Sequence, residues 1–176
     1  MSNIFIGQLF ILVNFNFTLN GYVFDCAPNF VGWYFIYKGI GEIYSFSTEN
    51  FSNEKKLSLV ICDIELTRFV WLIFMGYGAG GLVSNIFACL IAALELGVLY
   101  YIIQGLFIVQ AVKNKYLYAD RLMKIWKSRG VICVVYLAVS ILSLNTAAVI
   151  CAIISLVVSV NFLMVFYKAK EEYNAV

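Results

Sequence analysis

Long apolar runs recur along almost the whole chain, and they restrict the fold more than any other feature of the sequence. About 20 helical residues cross the hydrocarbon core of a bilayer, which is about 30 Å thick. Runs close to that length leave no stretch for a separate water-soluble domain, since 63% of the residues are hydrophobic and only 12% are charged. This composition predicts an all-α, polytopic integral membrane protein with one transmembrane helical domain over residues 1–176. An unusually apolar soluble helical protein is the alternative.

Five polar or glycine-rich breaks divide these runs and predict six transmembrane helices. The predicted spans are 3–18, 30–45, 57–76, 82–112, 130–145 and 147–167. Several are short for a full crossing, so tilted helices or local bilayer thinning are expected. Four spans preceded by a re-entrant first hairpin are the alternative. No Lys or Arg precedes Lys38, so we expect the first apolar segment to be retained and not cleaved as a signal peptide.

Basic residues occur in alternate connections, and this pattern predicts the orientation. They occupy the second break (Lys55, Lys56), the fourth break (Lys113, Lys115, Arg121, Lys124, Lys127, Arg129) and the segment after the last span (Lys168, Lys170). Short connections rich in Lys and Arg stay in the cytoplasm. The sequence therefore predicts a multi-pass protein of the cell membrane with both termini in the cytoplasm.

The fourth break, residues 113–129, has apolar residues at helical spacing, with polar residues mostly on the other side. This pattern predicts an amphipathic helix on the cytoplasmic membrane surface, with Trp126 at headgroup depth. Its basic residues are predicted to face the bilayer and its anionic lipids: Lys113, Lys115, Arg121, Lys124, Lys127 and Arg129. Docking of a protein partner is the alternative.

Six ionisable residues lie inside the predicted spans and form a candidate intramembrane charged cluster: Lys38, Glu42, Asp63, Glu65, Arg68 and Glu95. Each costs about 2.5 kcal/mol or more at such depth, so these groups usually face a bundle interior and find partners. Helical spacing pairs Arg68 with Glu65 and Lys38 with Glu42. Asp63 and Glu95 are left over, and we expect Glu95 to interact with Arg68. Alternatively, residues 57–68 form only the wet cytoplasmic entrance of the third span.

Catalytic, metal and cofactor sites are not predicted. The chain has no histidine and five cysteines without a CxxC pair, so a zinc site or a Cys-His nucleophile cannot be assembled. The cysteines are interpreted as packing residues, and a disulfide is not expected because only Cys26 lies in a predicted exposed loop. Small residues recur every fourth position from Ser84 to Ala92 and from Ala148 to Ala152, which favours close helix packing, with a homodimer seam as the alternative. No feature indicates nucleic acid binding.

The first hairpin carries a resemblance to a known group of proteins. Asn20-Gly21 is expected to break the first span, and Asp25 to cap the next helix, with Pro28 in its first turn. The matching residues are Asn20, Gly21, Asp25, Pro28, Asn29, Phe30, Gly32 and Tyr34. They resemble the first hairpin of small, uncharacterised multi-spanning membrane proteins of low-GC Gram-positive bacteria. The resemblance covers about 30 residues and implies no activity.

Two functions are compatible with these features. The predicted cluster inside the spans favours a small transport-related or substrate-binding membrane subunit. Six spans with both termini inside are similar to the substrate-binding subunit of energy-coupling-factor vitamin transporters, but the first helix lacks the Ala-x-x-x-Ala motif of that family. A non-enzymatic accessory or regulatory subunit that acts through a protein partner is the alternative.

Overall fold

The computed structural model describes residues 1–13, 16–19, 22–25, 28–44, 52–75, 82–142 and 144–175. This part of the chain contains six α-helices and one β-hairpin. The helices are α1 (Ser2–Val13), α2 (Asn29–Tyr44), α3 (Ser52–Met75), α4 (Leu82–Lys113), α5 (Ala119–Ile141) and α6 (Asn145–Asn174), and the strands are β1 (Asn16–Leu19) and β2 (Tyr22–Asp25). The predicted all-α class is confirmed at this level, and each helix overlaps one predicted span in the predicted order.

The β-hairpin was not predicted and corrects the first connection. Strands β1 and β2 are antiparallel, with Asn16 opposite Asp25 and Leu19 opposite Tyr22. The end of the first predicted span, residues 16–18, is therefore extended and not helical. The predicted cap is also wrong, because Asp25 belongs to β2, whereas α2 begins four residues later at Asn29.

Contacts divide the chain into two compact units, Met1–Gly80 and Gly81–Val176. The N-terminal unit contains α1 to α3, and the C-terminal unit contains α4 to α6. In each unit the middle helix packs against both of its neighbours. The single domain expected over residues 1–176 stays a prediction.

Helices α1 and α2 approach each other closely because glycines lie at their contact. A Cβ atom on Gly32 would lie 2.7 Å from the carbonyl oxygen of Gly7 and 2.9 Å from Cγ1 of Ile11. A Cβ on Gly7 would meet the carbonyl oxygen of Gly32 and lie 2.7 Å from Cγ1 of Ile36. Only a residue without a side chain fits at such a backbone-to-backbone contact. Glycines thus perform between α1 and α2 the packing role that small residues have between membrane helices.

Helix α3 covers another side of α2. The rings of Phe30 and Phe69 are 5.4 Å apart, and the Cys62 thiol donates a hydrogen bond to the carbonyl oxygen of Phe30 at 3.3 Å. Nearer the start of α3, the Lys55 ammonium lies over the ring of Tyr37 at 4.8 Å. These contacts run in opposite directions along the two helices, so α3 is antiparallel to α2.

In the C-terminal unit, α5 is a single helix that packs between α4 and α6. Leu122 and Ala119 on α5 are buried, as are Ile102 on α4 and Phe166 on α6. The predicted division between an interfacial helix over 113–129 and a fifth span from residue 130 is wrong, because α5 runs from Ala119 to Ile141 without a break. Gly130 does not end the helix, since the apolar face of residues 119–129 has a protein surface to pack against.

Among the described residues, two helices are long and apolar enough to cross a membrane. They are Leu90–Lys113 in α4 and Thr146–Asn174 in α6. Helix α1 is apolar but has only 12 residues, which is about 18 Å at 1.5 Å per residue. Central charges in α3 lower its hydropathy, although its 24 residues are long enough for a crossing.

The glycine contact between α1 and α2 yields a first prediction. Gly7→Ala and Gly32→Ala should each lower the free energy of unfolding by about 1–3 kcal/mol, because the new methyl group forces the helix backbones apart. Denaturant unfolding of the purified protein in detergent, followed by circular dichroism, measures this change. Gly130→Ala is the matched control, since a Cβ there meets nothing within 4 Å and alanine has the higher helix propensity. Equal stabilities for all three variants would contradict the close contact.

Candidate functional site

The carboxylate of Glu65 is buried on α3 and forms one part of the predicted charged cluster. Glu65 is 5% exposed, and its Oε1 lies 3.5 Å from Nη1 of Arg68. The Arg68 side chain is 51% exposed, so the pair joins a buried anion to a cation at the surface. The predicted pairing of these two residues is confirmed.

Glu65 lies on the face of α3 that packs against α2. Residues three or four positions apart share a helix face, and Cys62 and Phe69 on either side of Glu65 both contact Phe30. Burying an ionised carboxylate is costly unless it is paired and hydrogen-bonded. The helix contact therefore holds Glu65 where its charge depends on Arg68 and on protein groups.

Asp63 is placed differently, although it is only two residues away. It is exposed and lies at the middle of α3, on an outward stripe with Leu59, Val60, Leu66 and Val70. Because α3 begins at Ser52, Asp63 is more than two turns inside the helix and not at its first turn. The stripe is therefore an apolar surface with one carboxylate at its centre.

Glu42 and Lys38 have contacts that sequence spacing did not indicate. Glu42 accepts hydrogen bonds from the amine of Met1 and from the side-chain amide of Asn3, both at the start of α1. The ammonium of Lys38 lies over the ring of Tyr34 at 4.7 Å. Glu42 thus joins the end of α2 to the start of α1, which adds a polar contact to the glycine-packed hairpin.

In the C-terminal unit, Arg129 is the cation near Glu95. The Arg129 guanidinium on α5 interacts electrostatically with the carboxylate of Glu95 on α4. The guanidinium stays protonated, as arginine does throughout the physiological range. Its carbon atom Cζ lies 5.6 Å from the ring centroid of Phe162 on α6. Arg129 therefore contacts groups of both neighbouring helices from its place on α5.

Trp126 lies one turn before Arg129 and, like it, lies at the contact between α5 and α4. Its indole Nε1 donates a hydrogen bond to the carbonyl oxygen of Leu96 at 2.8 Å, and its ring lies 5.2 Å from that of Tyr100. Trp126 therefore contacts the backbone of α4, a partner that sequence spacing did not indicate, and its predicted position at headgroup depth stays a prediction.

The structure divides the six predicted lipid-facing basic residues into two groups. Arg121, Lys124 and Lys127 are exposed on α5. The other three contact protein groups: Arg129 as above, Lys113 over the ring of Tyr173 at 4.1 Å, and Lys115 on the carbonyl oxygen of Ala175. The predicted contact between Glu95 and Arg68 would join the two units and stays a prediction.

Two buried polar atoms of α2 have no hydrogen-bond partner among the described residues, Nε1 of Trp33 and Oδ1 of Asn29. They lie one helical turn apart, and Trp33 is almost completely buried. In the described part of the chain, no group of three or more His, Cys, Asp or Glu side chains is arranged to hold a metal ion. The ion pairs described above instead join single residues, within one helix as for Glu65 and Arg68 or between helices as for Glu42 and Met1.

No protein-family model matches the chain, and no curated protein or solved structure is similar enough to count as a match.

The contacts of Arg129 yield a second prediction. Arg129→Met should lower the free energy of unfolding by about 1–3 kcal/mol, less than the 3–5 kcal/mol typical of a fully buried pair, because Glu95 loses its nearby cation. Adding Glu95→Gln should restore part of this loss, since the carboxylate that needs a cation is then absent. Denaturant unfolding in detergent measures both variants.

Arg121→Met is the matched control, because it removes the same side chain from the exposed face of the same helix. Its effect should stay within about 0.5 kcal/mol, as for most surface substitutions. The interpretation of Arg129 is wrong if the control loses as much stability, or if the double variant is no more stable than Arg129→Met.

Proposed function

We propose that the chain is a multi-pass protein of the cell membrane and acts as a small transport-related or substrate-binding subunit. The observation that carries the membrane assignment is the exposed apolar face of α6. Large apolar side chains cover that face from Val149 to Met164, and Val157 alone is 62% exposed. A continuous apolar surface of this size is unfavourable in water and suits the hydrocarbon core of a bilayer.

The helix lengths favour four crossings, by α3 to α6, preceded by a hairpin of α1 and α2 that enters and leaves on one side. Helices α1 and α2 have 12 and 16 residues, or about 18 and 24 Å at 1.5 Å per residue, which is short of about 30 Å. Helices α3 to α6 have 24, 32, 23 and 30 residues. Both termini are cytoplasmic in this arrangement, as in the six-span arrangement, because the number of crossings is even in each.

Transport is supported by Glu65, which is buried against α2, and by Glu95, which interacts with Arg129 of α5. Carboxylates inside a membrane bundle are costly and commonly mark a path or site for cations, protons or polar substrates. Glu65 has Arg68 as its cation and Glu95 has Arg129 nearby. A pair of this kind can exchange its internal partner for a substrate charge.

An accessory role is the second candidate, and the exposed stripe of α3 favours it. Asp63 is the only acidic residue of that stripe and is surrounded by Leu59, Val60, Leu66 and Val70. A carboxylate at the middle of a spanning helix is stabilised by a partner helix that brings a basic residue. This candidate makes the chain a stable component of a larger membrane complex.

Topology is the third prediction. A reporter fused after Val176 should behave as cytoplasmic, and one inserted near Asn145 as external, because the basic connections stay inside. An insertion between Asn20 and Gly21 separates the two arrangements, since it is external with six spans and has no external activity with a re-entrant hairpin. An external C-terminus would contradict both.

The fourth prediction concerns the function, and affinity purification from mildly solubilised membranes tests it. We expect a retained small molecule or a stoichiometric ATPase partner, detected by mass spectrometry, and Glu65→Gln should reduce the retained substrate while leaving the yield of protein unchanged. Asp63→Asn is the matched control on the same helix. If Asp63→Asn instead releases a different stable membrane partner, the accessory role replaces the transport role.

A further inference from the structure

The outward face of α5 changes its chemistry abruptly along the helix. Its first turns expose polar and basic side chains, and its last turns expose apolar ones. In order, the exposed residues on this face are Asp120, Arg121, Lys124, Lys127 and Ser128, followed by Val131, Val134, Val135, Ala138 and Leu142, while Tyr136 is exposed on another side. All lie within one broad stripe, because their spacings of three, four and seven residues return to the same side of a helix. The change occurs within one turn, around Gly130.

Helix α6 shows a similar change at its other end. Its exposed face is apolar to Tyr167 and then carries Lys168, Glu171 and Glu172. Helices α5 and α6 are antiparallel neighbours joined by a short turn, so both changes lie toward the end of the unit far from that turn. On both helices the exposed face therefore changes from apolar to polar toward the same end of the unit.

The change from apolar to polar exposed residues lies at different distances from the turn on α5 and on α6. On α5 the apolar part runs from Val131 to Leu142, about 18 Å at 1.5 Å per residue. On α6 it runs from Asn145 to Tyr167, about 34 Å on the same basis. The basic residues of α5 consequently lie at a level where α6 still exposes Met164 and Tyr167. Cations at that depth require a compensating anion.

The α5 stripe itself contains only one acidic side chain, Asp120, to compensate its cations. The stripe of α5 carries three cations and one carboxylate, so its net charge is +2, from 3 − 1. On α6, by contrast, Lys170 lies 3.1 Å from Glu171, and Glu172 is adjacent. The α5 stripe thus combines a net positive charge with an apolar surface directly beyond it.

We propose that the outward stripe of α5 binds an anionic phospholipid. Its phosphate lies between Lys124 and Lys127, and an acyl chain lies along Val131 and Val135. Ammonium groups bind phosphate strongly through charge-assisted hydrogen bonds. A free phosphate ion would use only half of the stripe, whereas a lipid matches both halves. This inference rests on the proposed membrane location.

The test uses the full chain in detergent micelles, titrated with phosphatidylglycerol or phosphatidylcholine, with bound lipid counted by native mass spectrometry. We expect the wild type to retain phosphatidylglycerol preferentially. Lys124→Gln with Lys127→Gln should reduce that preference about 25-fold, since each cation near an anionic surface contributes roughly a factor of five. Soluble glycerol phosphate should fail to displace the lipid, because it lacks an acyl chain.

Lys168→Gln with Lys170→Gln is the matched control. It also removes two positive charges, but from α6, at the same end of the unit as the basic residues of α5. It should keep the preference for phosphatidylglycerol. The proposal is overturned if the α5 variant keeps the wild-type preference, if both double variants lose it equally, or if glycerol phosphate displaces the lipid.

A separate readout distinguishes failure of this site from failure of the membrane assignment. Wild type and both double variants should all remain with the membrane after carbonate extraction. If they do and no lipid preference exists, only the lipid site is wrong. If the wild type is released by carbonate, the proposed membrane location is wrong as well.

Discussion

The cost of placing a charge in apolar surroundings determines most of what is specific in this molecule. Charged residues in the apolar runs obtain partners, either within their own helix or through helix packing. Glu65 is buried against α2 with Arg68 beside it, and Arg129 lies near Glu95 of α4 and Phe162 of α6. Packing and charge compensation depend on the same helix contacts, so a change in helix spacing would alter both.

The number and order of the helices could be predicted, because each apolar run is longer than a typical strand and such runs favour a helix. The β-hairpin was missed, although Asn20-Gly21 between two short runs with β-branched and aromatic residues is a typical hairpin signal. The length of the first apolar run led to the prediction of one continuous helix there. The division of α5 was also wrong, because a change from basic to apolar composition resembles a boundary even when the backbone remains helical.

The partners of the charged residues were less predictable than their positions. Spacing within one helix correctly paired Glu65 with Arg68, because residues three apart are neighbours on any helix. Spacing could not identify Asn3 and Met1 as partners of Glu42, or Arg129 as the cation near Glu95, since those contacts depend on which helices pack together and in which register. Amphipathicity showed that Trp126 needed an apolar surface, but not that α4 provides it.

Helix α5 places its positive charges on two opposite sides, and this arrangement gives them separate roles. Arg129 points toward α4 and α6, whereas Lys124 and Lys127 are on the exposed stripe. A helix with its side chains is about 10 Å across, so the inner and outer cations are separated by the packed helix and interact weakly. Arg129 can therefore be held by the protein while the outer lysines stay available to the surroundings. One short basic segment thus contributes both to the internal packing of its unit and to an exposed basic surface on its other side.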